Sequence, residues 1–266
     1  MKWWRAINID PRPTNHGFLR ADYTRGYRAW KARLKWRGRI RCLKILALET
    51  STEYCSVALW RGGAIDEDGE RAGQRHSELL LPMVHGLLAR HGLKVRDLDG
   101  LAFGEGPGSF TGLRIGCGVV QGLAFGAGLK VAGVGTLLAM AAAAGADRVV
   151  CCLDARMGEI YHAAYARYGA GWDTVHAPGL WPPEEAPALP AGAWTGCGSG
   201  FAAHAQALER RYGGRLSAIM PEVVPHARHV AGLAARDFAA GRAVAPERAV
   251  PLYLRDKVAL KTTERS

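Results

Sequence analysis

The sequence predicts an α/β fold made of two related halves, and three observations support this prediction. Residues 44–60 are predicted as a strand, a polar turn and a second strand. Residues 149–165 repeat this order, which indicates an internal duplication. Between them, residues 101–126 have the pattern of a buried strand, a Gly-rich turn and a long uncharged helix. Strands that alternate with helical segments are typical of α/β proteins.

The two hairpins are predicted from short apolar runs on either side of a polar turn. In the first half, an apolar run with little alternation ends at Glu49, as expected for a strand that is buried on both faces. The second half has its polar turn after another apolar run, which contains two cysteines. The predicted segments are strands 44–48 and 56–60 around turn 49–52, and strands 149–153 and 160–165 around turn 154–158.

The Gly-rich turn lies in the stretch GEGPGSFTGLRIG, from Gly104 to Gly116. Ser109 is predicted to cap a helix that runs to about Gly126. A helix N-terminus after such a turn presents free backbone N–H groups, which suit a phosphate or carboxylate. Glycines at a turn also let two backbone segments approach closely. The residues leave both interpretations open.

Named phosphate-binding and hydrolase motifs are excluded for this stretch. A P-loop requires Lys and then Ser or Thr after its last glycine, but Leu113 and Arg114 follow Gly112. A dinucleotide fingerprint requires glycine where Ser109 stands. Ser109 also lacks the G-x-S-x-G frame of a hydrolase nucleophile, so the helix cap is its preferred role.

Five stretches together resemble the bacterial TsaB family. They are ILALETSTEYCSVALW (45–60), RHSELLLPMV (75–84), GEGPGSFTGLRIG (104–116), LDARMGEIYHAAY (153–165) and PLYLRDKVA (251–259). The resemblance extends from about Leu43 to Ala259. It implies an actin-like, sugar-kinase-like (ASKHA) fold with subdomains at 43–147 and 148–266, after an N-terminal extension at 1–42.

The resemblance also implies a function in tRNA modification. The expected role is a non-catalytic dimerisation subunit that binds and activates a homologous, TsaD-like threonylcarbamoyltransferase. The product is N6-threonylcarbamoyladenosine at position 37 of ANN-decoding tRNAs, and a TsaE-like ATPase docks on the assembled pair. The chain has no cofactor of its own in this scheme, because the partner subunits use ATP and a divalent metal. It contacts tRNA through the complex, and a second copy of the chain can replace a missing partner.

A relic nucleotide site is the second hypothesis for the first hairpin. In phosphotransferases of the same superfamily, this hairpin turn carries an acidic residue that acts on metal and phosphate, and Glu49 occupies the equivalent place. The candidate site contains Glu49, Thr52, Gly106 and Gly108. The simpler interpretation, which we prefer, is a turn whose hydroxyl groups satisfy its own backbone.

Metal ligands are missing where the catalytic homologue carries two histidines after the equivalent turn and helix. The corresponding stretch, 132–140, contains only Thr136 as a weak oxygen ligand. His226 and His229 are close in sequence, but this spacing is common by chance. The chain has no H-E-x-x-H motif. We therefore expect no metal site and no transferase or protease activity in the isolated chain.

A partner interface is predicted on two helices. From Ser77 onward, apolar residues form one broad stripe on a helix bent at Pro82, and the helix after Ser109 carries glycines at four-residue spacing. The resemblance assigns both helices to the contact with the catalytic subunit, whereas burial inside the domain would explain the pattern equally well. The candidate interface residues are Leu79, Leu80, Met83, Val84, Leu87, Gly112, Leu113, Gly116 and Val120.

Charge, cysteine content and apolar runs indicate where the basic residues lie, which compartment suits the protein and whether it crosses a membrane. The net charge is +11, but residues 1–42 hold 12 of the 35 Lys and Arg residues and 2 of the 24 Asp and Glu residues, so the remainder is nearly balanced. Six cysteines in mostly apolar runs, without C-x-x-C spacing, suit reduced thiols in a cytoplasm. Apolar runs are too short for a membrane crossing.

The extension 1–42 has two interpretations. Its interleaved tryptophans and basic residues are typical of an RNA-binding arm. The simpler hypothesis is that translation starts at Leu43, whose codon is an alternative start codon, and that residues 1–42 correspond to sequence upstream of this start. Two other function classes therefore remain beside the dimerisation subunit: a free-standing nucleotide-dependent enzyme that uses Glu49 and the 106–108 turn, and a nucleic-acid-binding protein that uses the extension.

Overall fold

The computed structural model describes residues 43–255, so the predicted extension 1–42 lies outside the described residues. The first half contains β1 (Lys44–Glu49), β2 (Tyr54–Arg61), β3 (Ala64–Arg71), α1 (His76–Arg90), β4 (Gly100–Gly106), α2 (Phe110–Ala127), β5 (Lys130–Gly135) and α3 (Thr136–Ala144). The second half contains β6 (Arg148–Arg156), β7 (Glu159–Tyr168), β8 (Gly171–Trp181), β9 (Trp194–Cys197), α4 (Gly200–Ala203), α5 (Ala205–Tyr212), β10 (Leu216–Met220) and α6 (Ala227–Ala239). Short 3-10 turns lie at Val95–Asp97, Gly213–Arg215 and Pro246–Arg248.

The two halves have the same sheet topology. The strand order is β3-β2-β1-β4-β5 in the first sheet and β8-β7-β6-β9-β10 in the second. In each sheet the first three strands of the half are antiparallel, and the two later strands are added in parallel. This confirms the internal duplication and the predicted α/β class with two related halves.

Helices cover both faces of the first sheet. Leu46 and Leu48 of β1 pack toward α1 and α2, in a core that includes Leu80 and Val120. Because side chains alternate along a strand, Ile45 and Ala47 point to the opposite face. There they pack against α6, whose contributing residues are Ala227, Val230, Ala231 and Ala234. The central strands are therefore buried on both sides, which explains their continuous apolar runs.

The end of the described chain returns to the first half. Helix α6 follows the second sheet in sequence but packs on the first sheet. After it, Val244 forms an antiparallel bridge with Val131 at the edge of β5, and the Leu252 N–H donates to the Glu105 carbonyl. The domain division at 147/148 remains a prediction, and the packing across it is extensive. No helix within residues 43–255 is both long and apolar enough to cross a membrane.

The structure agrees with the predicted hairpins and with the helix after Ser109. The Ser109 hydroxyl accepts a hydrogen bond from the Gly112 N–H at 3.3 Å, so Ser109 is the N-cap of α2. Sequence analysis missed the edge strands β3 and β8. β3 has a mixed polar sequence because an edge strand is half exposed and lacks the apolar run of a central strand.

Candidate functional site

The first hairpin turn and the Gly-rich turn fit closely together. The Ser109 N–H donates to the Ser51 carbonyl at 2.7 Å, which joins the start of α2 to the turn after β1. A Cβ atom at Gly108 would overlap the Ser51 carbonyl group. Gly106 has a φ of 113°, a conformation that favours glycine, and a side chain there would also meet the Leu252 carbonyl oxygen at 2.8 Å.

Thr50 connects the same turn to the body of α2. Its hydroxyl donates to the Gly112 carbonyl at 2.8 Å. A Cβ atom at Gly112 would overlap the Thr50 carbonyl oxygen, and one at Gly116 would overlap the Thr50 hydroxyl. Glycine at these two positions therefore permits the close approach of backbone to backbone. Of the two interpretations of the Gly-rich stretch, the packing interpretation accounts for Gly108, Gly112 and Gly116.

Glu49 is fully buried beneath this contact. One carboxyl oxygen, Oε1, accepts a hydrogen bond from the Ser51 N–H at 2.7 Å, while Oε2 has no hydrogen-bond partner among the described residues. The absence of a side chain at Gly104 leaves room for the Glu49 carboxyl group. Burial raises the pKa of Glu49, and the hydrogen bonds from the turn only partly oppose this shift.

The four residues of the predicted nucleotide site lie in and around the turn, and the Glu49 side chain has no solvent exposure. Thr52 is directed toward α1, where its carbonyl oxygen lies 2.9 Å from Nε2 of the buried His76. Gly106 and Gly108 contact protein backbone, as described above. A metal-bound phosphate needs solvent-accessible oxygen ligands and space for the phosphate. Because Glu49 is buried and Gly106 and Gly108 contact backbone carbonyl groups, the geometry favours a structural role for the turn.

Seven of the nine predicted interface residues are buried inside the chain. They are Leu80, Val84, Leu87, Gly112, Leu113, Gly116 and Val120. In this fold they pack α1 and α2 against the first sheet and the first hairpin turn, and the partner interface on these helices stays a prediction. Leu79 and Met83 are half-buried and pack against the edge of the same core.

The outward face of α2 consists of different residues from those predicted. Gly118, Gly122 and Gly126 are exposed, and a Cβ atom at any of them would meet nothing within 4 Å. Phe125 is 81% exposed, and Leu81 on α1 is 50% exposed. Gly116 and Gly118 differ by about 200° around a helix with 3.6 residues per turn, so these two glycines lie on opposite sides of α2. Helical periodicity could have separated these two positions, but it does not tell which of them faces the sheet.

A metal site is not formed by the histidines that the sequence brings close. The rings of His226 and His229 are 6.5 Å apart, and His226 packs at 4.5 Å from the Tyr54 ring. Burial alone would raise the pKa of the neighbouring Glu67, but hydrogen bonds from His226 and Arg228 lower it overall. Within residues 43–255, no group of three or more His, Cys, Asp and Glu side chains is arranged to hold a metal ion.

Comparison with known proteins identifies the family. The profile of the family described as "TsaD: tRNA N6-adenosine threonylcarbamoyltransferase" matches residues 69–261. The tRNA threonylcarbamoyladenosine biosynthesis protein TsaB of Escherichia coli is 40% identical over 231 residues, which cover 82% of this chain and 97% of that protein. The chain belongs to the TsaB family. The TsaB protein of Haemophilus influenzae is 38% identical over 232 residues, or 82% of this chain and 96% of that protein.

A solved structure confirms the TsaB fold. YeaZ from Pseudomonas aeruginosa superimposes with a TM-score of 0.73 at 38% sequence identity. The match covers 80% of this chain and all of the P. aeruginosa chain. The family resemblance drawn from five sequence stretches is therefore confirmed over most of the length of the chain.

Proposed function

We propose that this chain is the non-catalytic subunit of a tRNA-modifying complex. Its partner is a homologous threonylcarbamoyltransferase, and the complex forms N6-threonylcarbamoyladenosine at position 37 of tRNA. The names of the TsaB relatives place those proteins in this biosynthesis, and the matching profile describes a transferase. The present chain contributes a docking surface, while ATP and the divalent metal belong to the partner subunits.

The observation that carries this proposal is the outer face of α2, which is uncharged from Gly118 onward. Among its 18 residues, Arg114 carries the only charge. Gly118 and Gly122 have open space beside them, and exposed Phe125 lies toward the far end of the helix. Small residues at four-residue spacing allow a second helix to approach closely. An exposed surface of this kind favours a helix of another subunit as its contact.

The proposed docking face therefore uses outward residues of the two predicted helices. On α2 these are Gly118, Gly122 and Phe125, and on α1 they are Leu81 together with half-buried Met83. The same face can accept a second copy of the chain when the transferase is absent. The buried residues of the interface predicted from the sequence, such as Leu80 and Gly116, pack beneath this face.

Reconstitution of the modification with purified subunits tests the proposal. We expect no threonylcarbamoyladenosine from this chain alone, and product when the transferase, the docking ATPase, threonylcarbamoyl-adenylate and tRNA are added. Gly118→Arg should abolish the gain in product, because a long charged side chain would keep a partner helix from approaching α2 closely. Gly214→Arg is the matched control, since Gly214 also lies in open space but far along the chain from α1 and α2. Product formed by the chain alone, or equal product with Gly118→Arg, contradicts the proposal.

A further inference from the structure

Arg114 is an exposed arginine whose side chain is held in one place. Its guanidinium carbon lies 3.6 Å from the centre of the Phe110 ring, one helical turn earlier on α2. Its Nε–H donates a hydrogen bond to the Tyr253 hydroxyl at 3.1 Å. The Phe110 and Tyr253 rings are 5.5 Å apart, so they form two sides of one aromatic cluster. We call Phe110, Arg114 and Tyr253 the arginine platform.

The guanidinium of the platform has unused hydrogen-bonding capacity. In the part of the chain that the structure describes, Arg114 forms no ion pair, and the bond to Tyr253 is its one side-chain hydrogen bond. A guanidinium has five N–H donors, so four remain available. Arg255 makes a useful contrast, because it donates to the Ala155 carbonyl and pairs with the Glu159 carboxylate. An arginine that is immobilised but unpaired loses little side-chain entropy when it binds an anion.

The surroundings of the platform are aromatic and cationic. Tyr253 is 44% exposed, and a small cleft of about 50 Å³ beside it is lined in part by Phe110, Tyr161 and Arg255. Arg255 contacts the tip of the hairpin between β6 and β7, where Arg156 pairs with Asp154. Asp154 and Glu159 of this hairpin therefore each already pair with an arginine.

We propose that the arginine platform binds single-stranded RNA, with a phosphate or base edge on Arg114 and a base stacked against Tyr253. This inference rests on the proposed function, in which the RNA is the tRNA substrate of the complex. Bases in single-stranded loops stack on aromatic rings and on arginine planes. A carboxylate of a partner protein would pair with Arg114 alone, whereas the flanking exposed ring adds a surface that suits a base. Arg114 lies one helical turn before Gly118 and is not among the residues assigned to the docking face.

The test measures tRNA binding by the assembled complex over a series of salt concentrations. Arg114→Gln should weaken binding by about threefold to tenfold and reduce the salt slope by about one. Arg114→Lys should keep the salt slope but lose affinity, because a point charge replaces the planar group. Tyr253→Leu should weaken binding by about fivefold or more through lost stacking. Arg215→Gln, an exposed arginine in the second half, is the control and should change nothing.

Two results would overturn the inference. One is an intact complex in which Arg114→Gln leaves both tRNA affinity and salt slope at the wild-type values. The other is a loss of transferase binding by Arg114→Gln with no separate loss of tRNA binding, which would assign Arg114 to a protein contact. If the wild-type chain does not assemble with the transferase, the proposed function fails instead. The platform is then judged on the full chain with a single-stranded oligonucleotide, where equal affinity of wild type and Arg114→Gln refutes it.

Discussion

At the scale of one residue, Glu49 is a potential catalytic acid that the fold buries completely. The carboxyl group is fully buried, with Oε1 bound to the Ser51 N–H and Oε2 without a partner among the described residues. Burial raises its pKa, so folding favours the protonated form. A group with these properties is suited to a structural turn, because a metal-binding carboxylate must be ionised and accessible.

The raised pKa of Glu49 predicts a pH-dependent contribution to stability. This contribution is fully present below the ordinary pKa of 4.5 and is lost as the pH rises through the higher pKa of the folded state. Glu49→Gln cannot ionise, so its free energy of unfolding should lack this component. Denaturant unfolding of both proteins from pH 4.5 upward measures the difference. We expect the stability of the wild type relative to Glu49→Gln to fall with increasing pH, and parallel pH profiles would show that Glu49 is not buried as described.

Sequence analysis could identify Glu49 as special but could not determine its surroundings. Its place after an apolar strand predicted the turn, and the turn is present. Its burial depends on Gly104 and on the approach of α2, which lie more than 50 positions later in the chain. Contacts of this kind require the tertiary structure, so the choice between a structural turn and a nucleotide site could not be made from the local pattern.

Helix α2 shows at the scale of one element how glycines serve two purposes. Gly112 and Gly116 face Thr50 inside the chain, and Gly118 and Gly122 face outward. Sequence analysis predicted the helix, its cap and its uncharged character. The family resemblance assigned Gly112 and Gly116 to the interface, because the spacing of four residues alone did not distinguish an interface from internal packing. Which glycines face inward depends on which side of α2 meets the sheet.

The inner and outer glycines of α2 predict opposite effects of the same substitution on stability. Gly116→Ala places a methyl group against the Thr50 hydroxyl and should destabilise the protein by about 1–3 kcal/mol. Gly118→Ala enters open space in a helix interior and should stabilise it by about 0.5–1 kcal/mol. Thermal or denaturant unfolding of the two variants compares them directly. Equal effects in both variants would contradict the assignment of Gly116 to the inner face and Gly118 to the outer face of α2.

At the scale of the whole molecule, two sheets share one topology, but the end of the described chain packs on the first sheet instead of the second. The sequence pattern predicted two related halves, and the shared strand order confirms them. The return of α6 to the first sheet was not predictable, because its alanine-rich face fits either half. The segment from Val244 to Arg255 then runs from the edge of β5, past α2, to the second hairpin. This segment helps to fix α2 in place.

This arrangement gives the outer face of α2 a rigid support, which is what a docking surface needs. The inner face is fixed by Thr50, and Gln121 on its flank donates to the Ala249 carbonyl at 2.8 Å. Preorganised surfaces lose little entropy on binding. The proposed function therefore relies on a helix face that is fixed from inside the chain.

The affinity of the full chain for the purified transferase, measured by titration calorimetry, tests this claim most directly. We predict that Gly118→Arg and Gly122→Arg each weaken binding by about a hundredfold or more. This loss corresponds to roughly 2.7 kcal/mol of binding free energy. Gly214→Arg should bind like the wild type, and all three variants should unfold at similar temperatures. Wild-type affinity in both α2 variants would contradict the account.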